Sequence, residues 1–262
     1  MMATFTDFTG KVVLITGSSG GIGAVTAVEF ARLGAQVVVT GRRKDKVSAV
    51  AKQCAETSPT GAKALEVVAD VTNDDDCLRL VSDTIKTFKK LDILINNAGR
   101  GVVESIWDGD ILDKYELIMN TNLRSVVRLT HLCVEHLEKT KGNIVNVSSI
   151  GAFKPRGPCY SYSMSKAAMD MFTKCVALEL GPKGIRANTI NPGSVKTEFM
   201  KNILNVSKAK SDEIYAQRAR MCPLGRVGEP MDVAKAVLYL TTDDASFVTG
   251  SNFVVDGGAQ YV

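Results

Sequence analysis

Tyr162 and Lys166 lie four residues apart in the stretch CYSYSMSK and could form an acid–base pair. On a helix, residues four apart share one face at about 6 Å, whereas residues six apart point to different sides. This spacing selects Tyr162 over Tyr160, which we expect to precede the helix. A tyrosine hydroxyl has an ordinary pKa of about 10, and a neighbouring ammonium lowers that pKa. The pair could therefore exchange a proton with a carbonyl oxygen while a hydride moves to or from the carbon.

Two serines follow the apolar run GNIVNV (142–147), just before this pair in the sequence. Reactive groups on parallel sheets gather at the carboxyl ends of the strands. Ser148 and Ser149 are both placed to orient a carbonyl oxygen there and to stabilise the charge that develops on it.

A glycine-rich turn, TGSSGGIG (16–23), follows the first apolar run KVVLIT (11–16) and precedes a helical pattern over 24–35. Glycines let a backbone turn tightly and approach a pyrophosphate, whose charge sits at the positive end of the next helix. The order strand, glycine turn, helix predicts a dinucleotide site rather than a plain connection.

The end of the second predicted strand reads Thr40, Gly41, Arg42, Arg43, and no acid appears until Asp45. An NAD site usually offers an acid at this place for the ribose 2′-hydroxyl. An arginine can instead bind a 2′-phosphate with two charge-assisted hydrogen bonds. Arg42 therefore favours NADP(H) over NAD(H), although both arginines could also simply solvate a helix start.

Short apolar runs alternate with helical patterns along the chain, which predicts an α/β fold with a doubly wound parallel sheet. The predicted strands are 11–16, 35–40, 64–69, 91–96, 142–147, 185–190 and 251–256. The predicted helices are 24–35, 74–88, 115–137, 165–181 and 229–241. We expect one domain over residues 1–262, in which the irregular segment 194–226 forms a substrate-binding lid.

Composition excludes several function classes. The net charge is +4 and the charges are mixed along the chain, which argues against a nucleic-acid surface. The six cysteines are scattered, so we interpret them as reduced thiols and expect no metal site. No apolar run approaches the roughly 18 residues that a membrane span needs. We therefore expect a soluble intracellular protein, with the cytoplasm as its compartment.

Gly17-xxx-Gly21-x-Gly23 together with Tyr162-xxx-Lys166 resembles the short-chain dehydrogenase/reductase family, whose fold is a Rossmann-type, seven-stranded parallel sheet with helices on both faces. Other motifs agree in order along the chain: NNAG (96–99), Asp70-Val71, NPGSVKT (191–197), PLGR (223–226) and VDGG (255–258). The resemblance runs from about residue 9 to the end. Together with the glycine turn and Arg42, it predicts these cofactor-binding residues: Gly17, Ser19, Gly21, Ile22, Gly23, Arg42, Asp70, Val71, Asn97, Ala98, Gly99, Tyr162, Lys166, Pro192, Gly193, Val195 and Thr197.

The resemblance also implies a catalytic set of Asn122, Ser149, Tyr162 and Lys166. The family's catalytic serine commonly lies about thirteen positions before the tyrosine, which selects Ser149 over Ser148. Asn122 matches the family's proton-relay asparagine, whose amide or backbone carbonyl could hold a water that reaches Lys166. Asn120 could instead be a satisfied polar core residue. The family resemblance further implies a homotetramer or dimer, and the several apolar faces of 165–181 agree with packing between subunits.

The substrate pocket is predicted to be apolar and to suit a ketone or secondary alcohol with a steroid-like or acyl-chain body. Its expected lining is Val102, Trp107, Phe153, Phe199, Met200, Ile203, Leu204, Tyr215 and Met221. Basic residues in 198–222 leave a 3-oxoacyl-thioester reductase as the alternative. A protein that binds NADP(H) without catalysis is a further alternative, but such a protein has no need of serine, tyrosine and lysine together.

Overall fold

The computed structural model describes residues 7–155 and 157–262. Within these ranges, seven parallel strands form one sheet in the order β3-β2-β1-β4-β5-β6-β7. The strands are β1 (Val12–Ile15), β2 (Gln36–Gly41), β3 (Leu65–Val68), β4 (Ile93–Asn96), β5 (Asn143–Val147), β6 (Arg186–Pro192) and β7 (Asn252–Val255). The seven predicted strands are therefore confirmed, each shifted by at most two residues at an end.

Nine α-helices occur in the described residues. They are α1 (Gly21–Arg32), α2 (Lys44–Thr57), α3 (Asp74–Phe88), α4 (Ile111–Met119), α5 (Ser125–Thr140), α6 (Tyr160–Leu180), α7 (Glu198–Leu204), α8 (Lys208–Met221) and α9 (Pro230–Thr241). The helix predicted over 115–137 is divided, because a π-helical turn over Asn120–Arg124 joins α4 to α5. Helix α6 begins at Tyr160, so the expectation that Tyr160 precedes the helix is wrong.

Alternation of side chains along the buried strands creates two hydrophobic cores, one on each face of the sheet. Val13 and Ile15 of β1 pack in the core that contains residues of α1, α2 and α9. Val12 and Leu14 pack in the opposite core, with residues of α3, α5 and α6. Each fully buried side chain of this size contributes roughly 1.5–3 kcal/mol. Both faces are thus covered by helices, which confirms the Rossmann-type, doubly wound fold.

The strand order reverses at β1, which pairs with β2 on one side and with β4 on the other. Crossovers from β1 and β4 therefore depart in opposite directions and leave a crevice above the carboxyl ends of these strands. This crevice is where ligands bind in open α/β sheets. The segment 194–226 carries α7 and α8, and its residue Val195 pairs with Gly228.

Two further properties concern cysteines and membranes. All six cysteines are free thiols, and burial raises the pKa of Cys54 to about 12 and that of Cys77 to about 11. Neither thiol is therefore a ready nucleophile at neutral pH. Among the helices of the described residues, none has the length and apolar character that crossing a bilayer requires.

Candidate active site

A cleft of about 540 Å³ opens at the carboxyl ends of the strands, on both sides of the reversal point. It brings together most of the residues that the sequence singled out: Gly17, Ser19, Gly21, Ile22, Arg42, Asp70, Val71, Asn97, Ala98, Gly99, Ser149, Tyr162, Lys166, Pro192, Gly193, Val195 and Thr197. Gly23 and Asn122 lie just behind its wall, where they contact lining residues. The volume falls in the usual range for small-molecule and cofactor sites.

The glycine turn packs against the end of β4 so closely that side chains are excluded. A Cβ atom on Gly17 would lie 2.9 Å from Cα of Ala98, and one on Gly23 would lie 2.4 Å from Nδ2 of Asn97. The Oγ1 of Thr16 accepts hydrogen bonds from the backbone N–H groups of Asn97 and Ala98, both at 2.9 Å. The two loops therefore form one rigid floor for the cleft.

The N-terminus of α1 contributes uncapped backbone N–H groups to this floor. Within the described ranges, no side chain caps this terminus at Gly20, and the first turn contains no acid. Gly20, Gly21 and Ile22 all line the cleft. An anion at this position would satisfy the N–H groups and meet the positive end of the helix dipole. The residues present therefore fit the pyrophosphate of a dinucleotide.

The adenosine end of the cleft has a positive edge. Arg42 follows β2 directly, is about 70% exposed in its side chain, and holds its guanidinium 3.9 Å from the Asp70 carboxylate. Ser19 comes close to the same place, because a Cβ on Gly41 would lie 2.4 Å from its Oγ. Arg43 lines the cleft as well. The end of β2 thus offers two guanidinium groups and a hydroxyl.

Tyr162 and Lys166 lie one turn apart on α6, on the face that covers the end of β5. The Nζ of Lys166 donates a 2.7 Å hydrogen bond to the backbone carbonyl of Val147 and lies 5.7 Å from the centroid of the Tyr162 ring. Lys166 is only 3% exposed, and this burial lowers its pKa to about 8, while Asp170 acts in the opposite direction. The Lys166 side chain is therefore held in place beside the phenol, and its charged form is only moderately favoured over the neutral amine at neutral pH.

Ser149 stands between the end of β5 and the start of α6. Its Oγ accepts a 3.0 Å hydrogen bond from the backbone N–H of Gly151. A Cβ atom on Gly151 would lie 3.4 Å from the Ser149 Oγ and 3.5 Å from Cε1 of Tyr162, so one small group can contact both side chains. The Ser148 hydroxyl points elsewhere and donates to the backbone carbonyl of Lys166 at 3.3 Å.

Asn122 is fully buried in the π-helical turn, and its amide is engaged. Its Oδ1 accepts from the backbone N–H of Arg100 at 2.9 Å. Its Nδ2 donates to the Arg100 carbonyl at 2.9 Å and to Ser165 Oγ at 3.1 Å. Both amide protons are used, but Oδ1 accepts only one hydrogen bond, so the amide oxygen and the backbone carbonyl both retain an acceptor site for a water. Asn120 is exposed, which excludes the core role considered for it.

Comparison with known proteins finds relatives that match nearly the whole length of the chain. A family model described as Enoyl-(Acyl carrier protein) reductase matches residues 17–260. Glucose 1-dehydrogenase of Gluconobacter oxydans (strain 621H) is 35% identical over 261 residues, which cover 98% of this chain and 95% of that protein. The crystal structure of a short-chain dehydrogenase/reductase of unknown function from Caenorhabditis elegans, with cofactor, is 36% identical, has a TM-score of 0.90 and is matched over 97% of both chains.

The chain belongs to the short-chain dehydrogenase/reductase family. It is therefore an oxidoreductase for which a nicotinamide dinucleotide is the expected cofactor. Another solved member of the family, a 7α-hydroxysteroid dehydrogenase complexed with NADH and 7-oxo glycochenodeoxycholic acid, is 31% identical with a TM-score of 0.88, covering 97% of this chain and 95% of that one.

The substrate side of this short-chain dehydrogenase/reductase differs from the sequence-based prediction. Of the nine predicted lining residues, only Phe199 borders the cleft within the described ranges, and its ring centroid lies 5.8 Å from that of Tyr162. Trp107 is 90% exposed. Tyr215 is buried and donates its hydroxyl to the Thr197 carbonyl at 3.1 Å. Met221 borders a different cavity.

The cleft is also lined by five residues that are not among the nine predicted ones, although Arg100, Glu198 and Asn202 lie in the segments 100–107 and 198–222 that were expected to form its wall; the other two are Leu117 and Thr121. Leu117 and Thr121 project from α4 and the π-helical turn, and the other three follow β4 or belong to α7. Their sequence gives little signal, because which face of a short helix meets the cleft depends on how the helix packs. Four of the five are polar, so the cleft is less apolar than expected.

Proposed function

We propose that the protein is an NADP(H)-dependent oxidoreductase that interconverts an apolar ketone and the corresponding secondary alcohol, with Tyr162 as general acid and base. One observation carries this proposal. Ser149, Tyr162 and Lys166 line the same cleft as the glycine turn and the ends of β2 and β3, where a dinucleotide fits. A protein that only binds the nucleotide has no physical need for this arrangement.

The nicotinamide ring supplies or accepts the hydride when the cofactor is bound. The protein's own residues manage the proton. The Tyr162 hydroxyl gives a proton to the carbonyl oxygen in reduction and removes it in oxidation. The Ser149 hydroxyl donates a hydrogen bond to the same oxygen and stabilises its charge. The Lys166 ammonium favours the phenolate of Tyr162 by electrostatic attraction, and the backbone carbonyl of Asn122 holds the water that connects Lys166 to solvent.

The choice of NADP(H) rests on the positive edge after β2. Arg42, Arg43 and Ser19 border the cleft together, and a 2′-phosphate with its charge of roughly −1.5 to −2 would bind them with charge-assisted hydrogen bonds. Asp70 lies 3.9 Å from Arg42 and also lines the cleft. No acid stands at the end of β2 to bind a free 2′-hydroxyl.

The choice of an apolar substrate rests on Phe199, which packs beside the reacting phenol, and on Leu117. The alternative of a 3-oxoacyl thioester depended on free basic groups in 198–222. Lys201 pairs with Glu198 at 3.1 Å and Lys210 with Glu213 at 2.7 Å, so these cations are partly neutralised within their own helices. One relative is named glucose 1-dehydrogenase, so glucose serves as a polar substrate to compare with the apolar ketones.

The test follows the absorbance of reduced NADP with a panel of steroid ketones, quinones, acyl thioesters and sugars. Tyr162→Phe removes the hydroxyl alone, and the loss of proton transfer is expected to lower kcat about 10²–10⁴-fold. Tyr160→Phe is the matched control, since its hydroxyl is buried away from the cleft and is expected to have little effect on turnover. Undiminished turnover by the Tyr162→Phe variant would show that the assignment is wrong.

A further inference from the structure

Asp170 extends the catalytic pair by one more helical turn. Tyr162, Lys166 and Asp170 are spaced by four residues each on α6, so the three side chains form one row along the same face of the helix. Asp170 is only 6% exposed. Aspartate is almost never this buried unless it is paired or hydrogen-bonded, so the position calls for a physical explanation.

The Asp170 carboxylate is tied to the two neighbouring strands. Its Oδ2 accepts hydrogen bonds from Nδ2 of Asn191 at 2.9 Å and from Nδ2 of Asn252. The same Nδ2 of Asn191 donates to the backbone carbonyl of Ser149 at 3.1 Å. Asp170 thereby links α6, β6 and β7 to the backbone of the proposed catalytic serine.

Few charged groups interact with the row formed by Tyr162, Lys166 and Asp170. Within the described ranges, the charged groups that affect Asp170 are Lys166 and the exposed Lys174, and the one that affects Lys166 is Asp170. The side chains that bond to Lys166 and Asp170 from neighbouring segments are uncharged: Ser148, Asn191 and Asn252, and Asn122 bonds to the adjacent Ser165. Burial raises the pKa of Asp170, and hydrogen bonds from Ser148 and Asn191 together with Lys166 oppose this rise.

The second carboxylate oxygen of Asp170 is also buried. A buried carboxylate in this position is costly unless a cation compensates for it. Lys166 is that cation, one turn away, and its ammonium is likewise buried. Each group therefore lowers the cost of charging the other.

We propose that Asp170 is a positioning residue whose carboxylate keeps Lys166 an ammonium and thereby sets the acidity of the Tyr162 phenol. The proposal rests on the proposed function for its effect on turnover, but its effect on the phenol can be measured without any substrate. In this arrangement Asp170 does not line the cleft, and it acts on the phenol through Lys166.

Asp170→Asn tests this proposal, because it keeps the shape and an acceptor for Asn252 while it removes the charge. The readout is the ultraviolet titration of Tyr162, taken as the difference between each protein and the same protein carrying Tyr162→Phe. We expect the pKa of Tyr162 to rise by about one unit in Asp170→Asn, and oxidation at pH 7 to fall about tenfold. Asn252→Ala is the matched control, since it removes a hydrogen bond to Asp170 but leaves the charge of Asp170. The pKa of Tyr162 should therefore be unchanged in this variant.

An unchanged titration of Tyr162 in folded Asp170→Asn would overturn the proposal. If that variant does not fold, the reciprocal measurement decides, because coupling between two sites acts equally in both directions. Lys166→Met must then raise the pKa of Asp170, observed by NMR of the ¹³C-labelled aspartate carboxyl, and no rise would overturn the proposal. If the titrations shift as expected but no carbonyl compound is turned over by the wild-type protein, the proposed function fails and the role of Asp170 stands.

Discussion

Replacing Lys166 by methionine should make the protein's stability less dependent on pH above neutrality. Methionine keeps most of the aliphatic volume of lysine and removes the ammonium, which is buried against the end of β5. In the wild-type protein, burial lowers the pKa of Lys166 from its ordinary 10.5 to about 8. The unfolded chain therefore holds the Lys166 proton more tightly than the folded protein does.

The sign and size of the effect follow from this difference in pKa. Below pH 8 the folded protein pays the full cost of burying the charge, about 3 kcal/mol at roughly 1.4 kcal/mol per pKa unit. Between pH 8 and 10.5 the folded protein releases the proton while the unfolded chain retains it, so the free energy of unfolding rises with pH. Between pH 7 and 10 the gain is about 2 kcal/mol, and the methionine variant should lack it.

The assay is denaturant unfolding of both proteins without added nucleotide, at one protein concentration, from pH 7 to pH 10. Circular dichroism at 222 nm is the appropriate signal, because Trp107 is 90% exposed and would report folding poorly by fluorescence. Both proteins carry Tyr162→Phe, which removes the phenol that interacts with Lys166, and groups that do not interact with Lys166 titrate equally in both and cancel in the difference. At pH 7 the methionine variant no longer bears the cost of burying the charge, which stabilises it. It also loses the hydrogen bond to Val147, which costs about 1–3 kcal/mol and offsets part of that stabilisation. A difference that stays constant from pH 7 to 10 would refute the buried ammonium.

Two other substitutions test the cofactor choice and the π-helical turn. Arg42→Asp should weaken NADPH binding more than tenfold and NADH binding much less, because a hydrogen bond between charged groups contributes about 1.5–3 kcal/mol. Titration calorimetry measures both affinities, and Lys46→Asp, the same charge change on the exposed side of α2, is the control. Equal effects of Arg42→Asp on both nucleotides would argue against a phosphate site. Asn122→Ala removes three hydrogen bonds and leaves the backbone N–H and carbonyl of Arg100 without this partner, so the free energy of unfolding should fall by about 2–4 kcal/mol, against less than about 0.5 kcal/mol for the exposed neighbour Asn120→Ala.

The sheet could be predicted from sequence because its strands are buried on both faces. Runs such as VVLI in β1 and VVVT in β2 consist of apolar or β-branched residues, a pattern that few other elements share. Helix α8 could not be predicted from periodicity, since only Ser211 and Tyr215 of its residues are buried and no apolar stripe forms. Helix α2 does bury Val47, Val50, Ala51 and Cys54 at helical spacing, so its sequence carries the periodic signal that α8 lacks.

Site residues were predictable where a backbone position dictates the residue type. Gly17 and Gly23 are fixed by close contact with the end of β4, and Tyr162 and Lys166 by the helical repeat. The substrate wall was not predictable, because apolar residues such as Trp107 and Tyr215 look alike in sequence although one is exposed and the other buried. Neither of them lines the cleft, and only the packing of the folded chain decides that Phe199 does.

The start of α6 shows why such local information is incomplete. Among the described residues no side-chain hydrogen bond caps this helix at its N-cap position, and its own first turn contains no acid, although its N-terminal residues include the proposed acid–base tyrosine. Glu104, far away in sequence, supplies the missing carboxylate: it is 2% exposed and accepts a 2.6 Å hydrogen bond from the backbone N–H of Ser161. Its own N–H donates to the Pro158 carbonyl at 3.1 Å. A negative group at a helix N-terminus is stabilising. Glu104, in the segment after β4, therefore holds the first turn of α6 in place, and this turn carries Tyr162. A substitution in that segment should consequently change the position of the Tyr162 hydroxyl.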